Sequence, residues 1–135
     1  MSVRVRAALA VGWALIILAA SLQPGGATGS LASPLGLVAP DKWFHATGYA
    51  VLAALLAAAA LPRTRRRHLA VLLAVVAYGA CVELLQVPVA GRSGDPADAL
   101  ANAVGAVATL AAWAALGLSA RLAETGTPDD GADLR

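Results

Sequence analysis

The chain is 135 residues long, 59% hydrophobic and only 13% charged, with a mean hydropathy of +0.72. A soluble domain is about 45–50% apolar and about 25% charged, so these figures exclude a disordered chain and an ordinary soluble globule. The formal charge of +2 gives no sign of a nucleic-acid partner, because the basic residues sit where a membrane protein keeps its anchors.

Four apolar runs follow in chain order. The first, Ala7 to Leu22, comes after Arg4 and Arg6. It is short for a span of about 20 residues unless Val3 and Val5 join it. Its basic start and Ala19-Ala20-Ser21 also fit a secretory signal with a small-residue cleavage site. Its length and Trp13 favour a retained helix. The loop from Gln23 to Pro40 reads as irregular, with a short interfacial turn near Leu35–Val38. The second run, Trp43 to Leu61, is uncharged but holds His45. Arg63 to Arg67 form a basic loop that also takes in His68. The third run, Leu69 to Val87, is broken only by Glu83 and Gln86, and Cys81 within it reads as a small buried hydrophobe. A short loop, Pro88 to Asp95, leads to the fourth run, Ala97 to Leu118, with Asp98 and Asn102 near its start.

The expected fold is an all-α, four-helix transmembrane bundle. Residues 1–118 form the membrane domain and 119–135 a disordered tail. Arg4, Arg6, Arg63, Arg65, Arg66, Arg67, Arg121 and Arg135 fall on one side, and only Lys42 and Arg92 on the other. The positive-inside rule then makes both termini cytoplasmic. The arginine loop serves as a topology anchor, with anionic lipid as its natural contact.

Ionisable groups within spanning helices are costly and need a reason. Asp41, Lys42 and His45 head the second helix, Glu83 and Gln86 end the third, and Asp98 and Asn102 head the fourth. At 1.5 Å per residue, His45 lies about 6 Å beyond Asp41, Glu83 about 7 Å before Pro88 and Asn102 about 9 Å beyond Pro96. All share one shallow outer layer. Asp41-His45-Gly48, Gly79-Glu83-Gln86 and Asp98-Asn102-Gly105 each repeat the i, i+4, i+7 spacing of a single helical stripe. Close packing through the three glycines, opening outward into a polar pocket, is the expected arrangement. The first helix has no such face and packs behind.

Several of these residues also fit structural roles. Asp41 and Asp95 suit helix N-caps, and Asp98 suits a first helical turn. Lys42 suits an interfacial anchor. A polar network that only joins helices would use the same groups. As a site, the layer carries Asp41, Glu83, Asp95 and Asp98 against Lys42 and Arg92, formally −2. Two ligand classes fit. The outward N-termini of helices two and four, with Lys42 and Arg92, suit a phosphate or carboxylate. The surplus carboxylates with His45 and Asn102 suit a cation or proton. No spacing is diagnostic of zinc, so no metal ligand and no cofactor is assigned. No Ser-His-Asp pattern is present, and Ser93 has only its nearness to Arg92 to mark it.

At these residues the chain resembles the VanZ family of small bacterial membrane proteins. The matching elements are Asp41-Lys42-x-x-His45-x-x-x-Tyr49, Glu83-x-x-Gln86, Gly91-Arg92-Ser93 and Asp98-x-x-x-Asn102-x-x-Gly105. They are specific only together and in this order, and they span about residues 41–110. Gly94-Asp95-Pro96 after Ser93 departs from the pattern. The resemblance implies a four-helix protein of the bacterial plasma membrane, in a family whose founding member is linked to teicoplanin resistance. It supplies no biochemical activity. Two functions fit: an enzyme acting on a lipid-linked or peptidoglycan precursor, or a non-catalytic module that binds an envelope ligand. In the enzyme, Glu83 or His45 is the general acid/base. In both, Asp41, Lys42, Gln86, Arg92, Ser93, Asp98 and Asn102 form the binding surface. Membrane lipid and an anionic envelope molecule are the expected partners.

Overall fold

The structure is a computed structural model that describes residues 2–24, 40–60, 64–89 and 96–125, the last with side chains as far as 117. It contains α1 (Val3–Ser21), α2 (Pro40–Ala59), α3 (Arg65–Gln86) and α4 (Pro96–Thr125). No strand occurs among the described residues. The expected all-α, four-helix architecture is what the chain forms.

Among the described residues, three helices are long and apolar enough to cross a membrane: α1, α3 and the Pro96–Gly117 part of α4. This reorders the sequence expectation, which found the first run short and the second sufficient. The Ser2 hydroxyl accepts a hydrogen bond from Val5 N at 3.4 Å and caps α1, so Val3 and Val5 do join the helix. In α2 the polar head with Asp41, Lys42 and His45 dilutes the apolar length.

α3 also starts earlier than expected. The Thr64 hydroxyl accepts from Arg67 N at 3.3 Å and caps it. Arg65, Arg66, Arg67 and His68 are therefore the first turn of a helix rather than a loop. α4 runs on helically to Thr125, past the boundary expected at 118. The outer-loop readings at 25–39 and 90–95, and the end of the tail at 126–135, lie outside the described residues.

The helices alternate in direction. Arg6 Nη1 at the start of α1 donates to Ala58 O near the end of α2 at 3.0 Å. Arg67 Nη1 at the start of α3 donates to Ala60 O at 3.5 Å. These arginines meet the terminal carbonyls of α2, where positive charge is favoured. The heads of α2 and α4 lie side by side, joined by Lys42 with Asp98 and His45 with Asn102. So α2 and α4 run parallel, and α1 and α3 run against them.

Small residues set the spacing. A Cβ on Gly105 would lie 2.0 Å from Ala46 O, so α4 meets the α2 backbone directly. A Cβ on Gly79 would lie 3.1 Å from Tyr49 Cε1 and 3.2 Å from Asn102 Nδ2. Gly48 departs from the expected three-glycine seam. It faces α1, and its nearest neighbour there, Ile17 Cγ1, would be at an ordinary 3.8 Å. Below the polar layer, Tyr49, Leu52, Ala53, Val75, Ala106 and Leu110 form the buried core. Leu84 is 72% and Leu100 65% exposed on the outside, as expected where lipid is the solvent. Cys81 is exposed on that surface too, which corrects its reading as a buried hydrophobe.

Candidate functional site

Both α2 and α4 begin at a proline, and each carries an acid in its first turn, Asp41 and Asp98. Asp41 is thus inside the helix rather than its cap. There a carboxylate meets free backbone N–H groups and the positive end of the helix dipole. Lys42, beside it, bonds to Asp41 Oδ2 at 2.9 Å and donates to Asp98 Oδ1 across the interface. The lysine expected to anchor at the interface instead bridges two acids.

One turn deeper, His45 faces α4 on both sides of its ring. Nδ1–H donates to Asn102 Oδ1 at 3.0 Å. Nε2 lies 3.6 Å from Asp98 Oδ2, too far for a hydrogen bond. Glu83 approaches from α3, and His45, Glu83 and Asp98 each present a ligand-type atom within 4.8 Å of the others. The i, i+4 stripes of three helices converge because Gly79 and Gly105 let those helices approach closely.

Burial makes these contacts consequential. Asp98 is 7% and Asn102 2% exposed. Asp41, Glu83 and Asp98 with Lys42 sum to −3 + 1 = −2. That excess raises the cost of leaving every carboxylate ionised. A histidine between two acids is suited to holding or passing a proton, or to sharing a cation with them.

Gln86 shares the Glu83 stripe but faces elsewhere. Its Nε2 donates to Ser21 O at 3.0 Å in a buried contact that ties α3 to the end of α1. Arg92 and Ser93 lie outside the described residues, as does Asp95.

Two contributors had no site role assigned from the sequence. Tyr49, which closes the matched Asp41–Tyr49 motif, is fully buried beside Gly79, with its hydroxyl in electrostatic range of Glu83. Its place four residues past His45, on the same stripe, was the available signal. The other is α1, which does not merely pack behind. It forms one wall of a cavity of about 300 Å³ against α2, lined by Trp13, Ile16, Ile17 and Phe44 and reaching Asp41 and His45. Trp13 Nε1 donates to Gly48 O at 2.9 Å and Tyr78 Oη to Ala14 O at 2.5 Å, fastening α1 to α2 and α3.

The family model described as VanZ/LLP1 matches residues 7–117, nearly the whole of the four helices. No curated protein and no solved structure matches the chain.

Proposed function

The chain belongs to the VanZ/LLP1 family, and from that premise we propose that it binds an anionic, lipid-linked molecule of the cell envelope and acts on its headgroup. In this reading the protein sits in the bacterial plasma membrane with both termini cytoplasmic, an orientation that its arginine distribution supports. The polar layer then faces outward, where envelope precursors are used. A protein that alters or withholds such a molecule changes what a glycopeptide antibiotic can reach, which accounts for a link to teicoplanin resistance.

One observation carries this reading: the cavity between α1 and α2 is apolar along Ile16, Ile17 and Phe44 and polar at Asp41 and His45. An amphiphile with its chain along Ile17 brings its headgroup to His45. Lys42 is committed to Asp41 and Asp98, so Arg92 supplies the charge that selects the anion. His45 and Glu83 serve as general acid and base, within reach of a headgroup oxygen.

The test uses the full-length protein in lipid nanodiscs, with a polyprenyl phosphate as probe and a neutral polyprenol as control. Saturable binding of the phosphate, weakened at least about tenfold by Arg92→Ala, supports the reading; a loss of about 1.4 kcal/mol corresponds to that factor. Ile17→Trp, which fills the cavity, removes binding of both lipids. Turnover of an envelope precursor that disappears in His45→Ala and Glu83→Gln supports catalysis. Binding without turnover selects the non-catalytic module instead. Equal binding of phosphate and polyprenol, or none of either, overturns the proposal.

A further inference from the structure

We infer that His45, Glu83 and Asp98 form a binding site for one divalent transition metal ion of the zinc class. This goes beyond the lipid reading and does not depend on it; an ion at these atoms would replace the acid–base role given above to His45 and Glu83 with metal-assisted chemistry on the same headgroup.

The tautomer of His45 leaves one ring nitrogen able to ligate. Asn102 Oδ1 only accepts, so the proton shared at 3.0 Å belongs to His45 Nδ1. Nε2 is then a lone pair. It points at Asp98 Oδ2, another lone-pair atom, from 3.6 Å. Glu83 brings a third such atom within 4.8 Å of both. Lys42 meets Asp98 through Oδ1, and a cation among Nε2, Oδ2 and the Glu83 oxygen would offset the mutual repulsion of those three atoms in a poorly solvated layer.

The spacing suits an ion better than a shared proton. Ligand atoms at about 2.0–2.2 Å from a tetrahedral zinc ion lie about 3.3–3.6 Å from one another. The His45–Asp98 separation of 3.6 Å fits that figure and exceeds hydrogen-bond length. Glu83, with a ligand atom within 4.8 Å of both, would have to turn its carboxylate towards them to join the shell. One imidazole with two carboxylates is a donor set for zinc or manganese.

The surroundings complete the pattern. A metal-bound histidine ordinarily donates its second N–H to an oxygen that fixes its orientation, and Asn102 fills that role here. Asn102 Nδ2 and Tyr49 Oη are buried donors with no hydrogen-bond partner among the described residues, and Asn102 Nδ2 and the Tyr49 ring lie against Gly79, one turn below Glu83. A water or headgroup oxygen in the fourth position of the ion would give such donors an acceptor. Asp41, Glu83, Asp98 and Lys42 sum to −2, and a dication offsets that charge. The same ion would attract the anionic headgroup that an acidic layer alone repels.

The experiment loads full-length protein in detergent with Zn²⁺, dialyses it and measures retained metal per chain, without added lipid ligand. Co²⁺ replaces Zn²⁺ for the absorption spectrum. One equivalent is expected, with a low-coordinate Co²⁺ spectrum. His45→Ala and Glu83→Gln each lower affinity at least tenfold, and Asn102→Ala lowers it about 10–100-fold. His68→Ala, at the opposite end, leaves it unchanged. If a variant does not fold, the wild-type Co²⁺ spectrum and its loss on competition with Zn²⁺ still decide the matter. Absence of bound metal in the wild type overturns the inference. So does metal that survives His45→Ala: the cluster is then a hydrogen-bonded histidine–acid pair with the Asn102 amide turned round. Metal binding without lipid binding sinks only the lipid reading, and lipid binding by protein that retains no metal sinks only this one.

Discussion

The two faces of α2 differ sharply. Towards α4 it is held without slack: Gly105 presses on Ala46, Lys42 reaches Asp98 and His45 reaches Asn102. Towards α1 it is loose: Gly48 has room for a methyl group, and a cavity of about 300 Å³ runs along the contact. The tight face fixes polar geometry and the loose face provides space. A site that must hold a headgroup in place and admit a chain beside it needs both properties.

The largest effect should come from the tight face. Lys42→Met leaves Asp98 buried beside Asp41 with their lysine gone. Breaking a buried ion pair from one side costs about 3–5 kcal/mol. Thermal unfolding in detergent should show that loss, and the double variant Lys42→Met/Asp98→Asn should regain much of it. A double variant no better than the single one would show that Lys42 acts through something other than Asp98.

Gly105→Ala comes next. The new methyl group would lie 2.0 Å from Ala46 O, against backbone that has no rotamer to change. Overpacking of this kind costs about 1–3 kcal/mol. Because α4 must move away from α2, the His45–Asn102 contact opens as well, and the variant should lose both stability and ligand binding. A stable variant that still binds would show that the contact is not tight.

The difference between the faces also explains what was legible in advance. Four helices followed from run length and the scarcity of charge, and the polar layer followed from i, i+4 spacing within each helix. Those signals are local. The partners of each stripe are not. Gln86 carries the stripe spacing yet turns to Ser21. Gly48 carries it yet faces Ile17. Spacing places residues on a common helix face, and neighbouring helices decide what that face meets. The shared layer of His45, Glu83 and Asp98 was legible, with a cation among its two ligand classes, but which of its groups come within ligand distance was not, since each belongs to a different helix. Arg6 and Arg67 read only as topology anchors, while the fold also sets them on the last carbonyls of α2.

On the loose face, Trp13→Phe removes the hydrogen bond from Nε1 to Gly48 O and keeps most of the ring. A neutral hydrogen bond contributes about 0.5–1.5 kcal/mol. The unfolding midpoint should fall by a correspondingly small amount. Metal retention at His45 should not change, because α1 supplies none of the cluster. A loss of metal in this variant would mean that the two faces of α2 are coupled and that the comparison is too simple.

Gly48→Ala is the smallest and most discriminating change. Its methyl group meets nothing closer than Ile17 Cγ1 at 3.8 Å, which is ordinary contact. Alanine in a helix interior is favoured over glycine by roughly 0.5–1 kcal/mol. The variant should therefore be slightly more stable than the parent, opposite in sign to Gly105→Ala. The same methyl group intrudes on the cavity, which Gly48 helps to line, so lipid-probe binding should weaken while stability rises. Stability and ligand capacity moving in opposite directions separates a space kept for an occupant from a mere packing defect. If both rise together, the gap along α1 is only imperfect packing, and the lipid reading loses the observation that carries it.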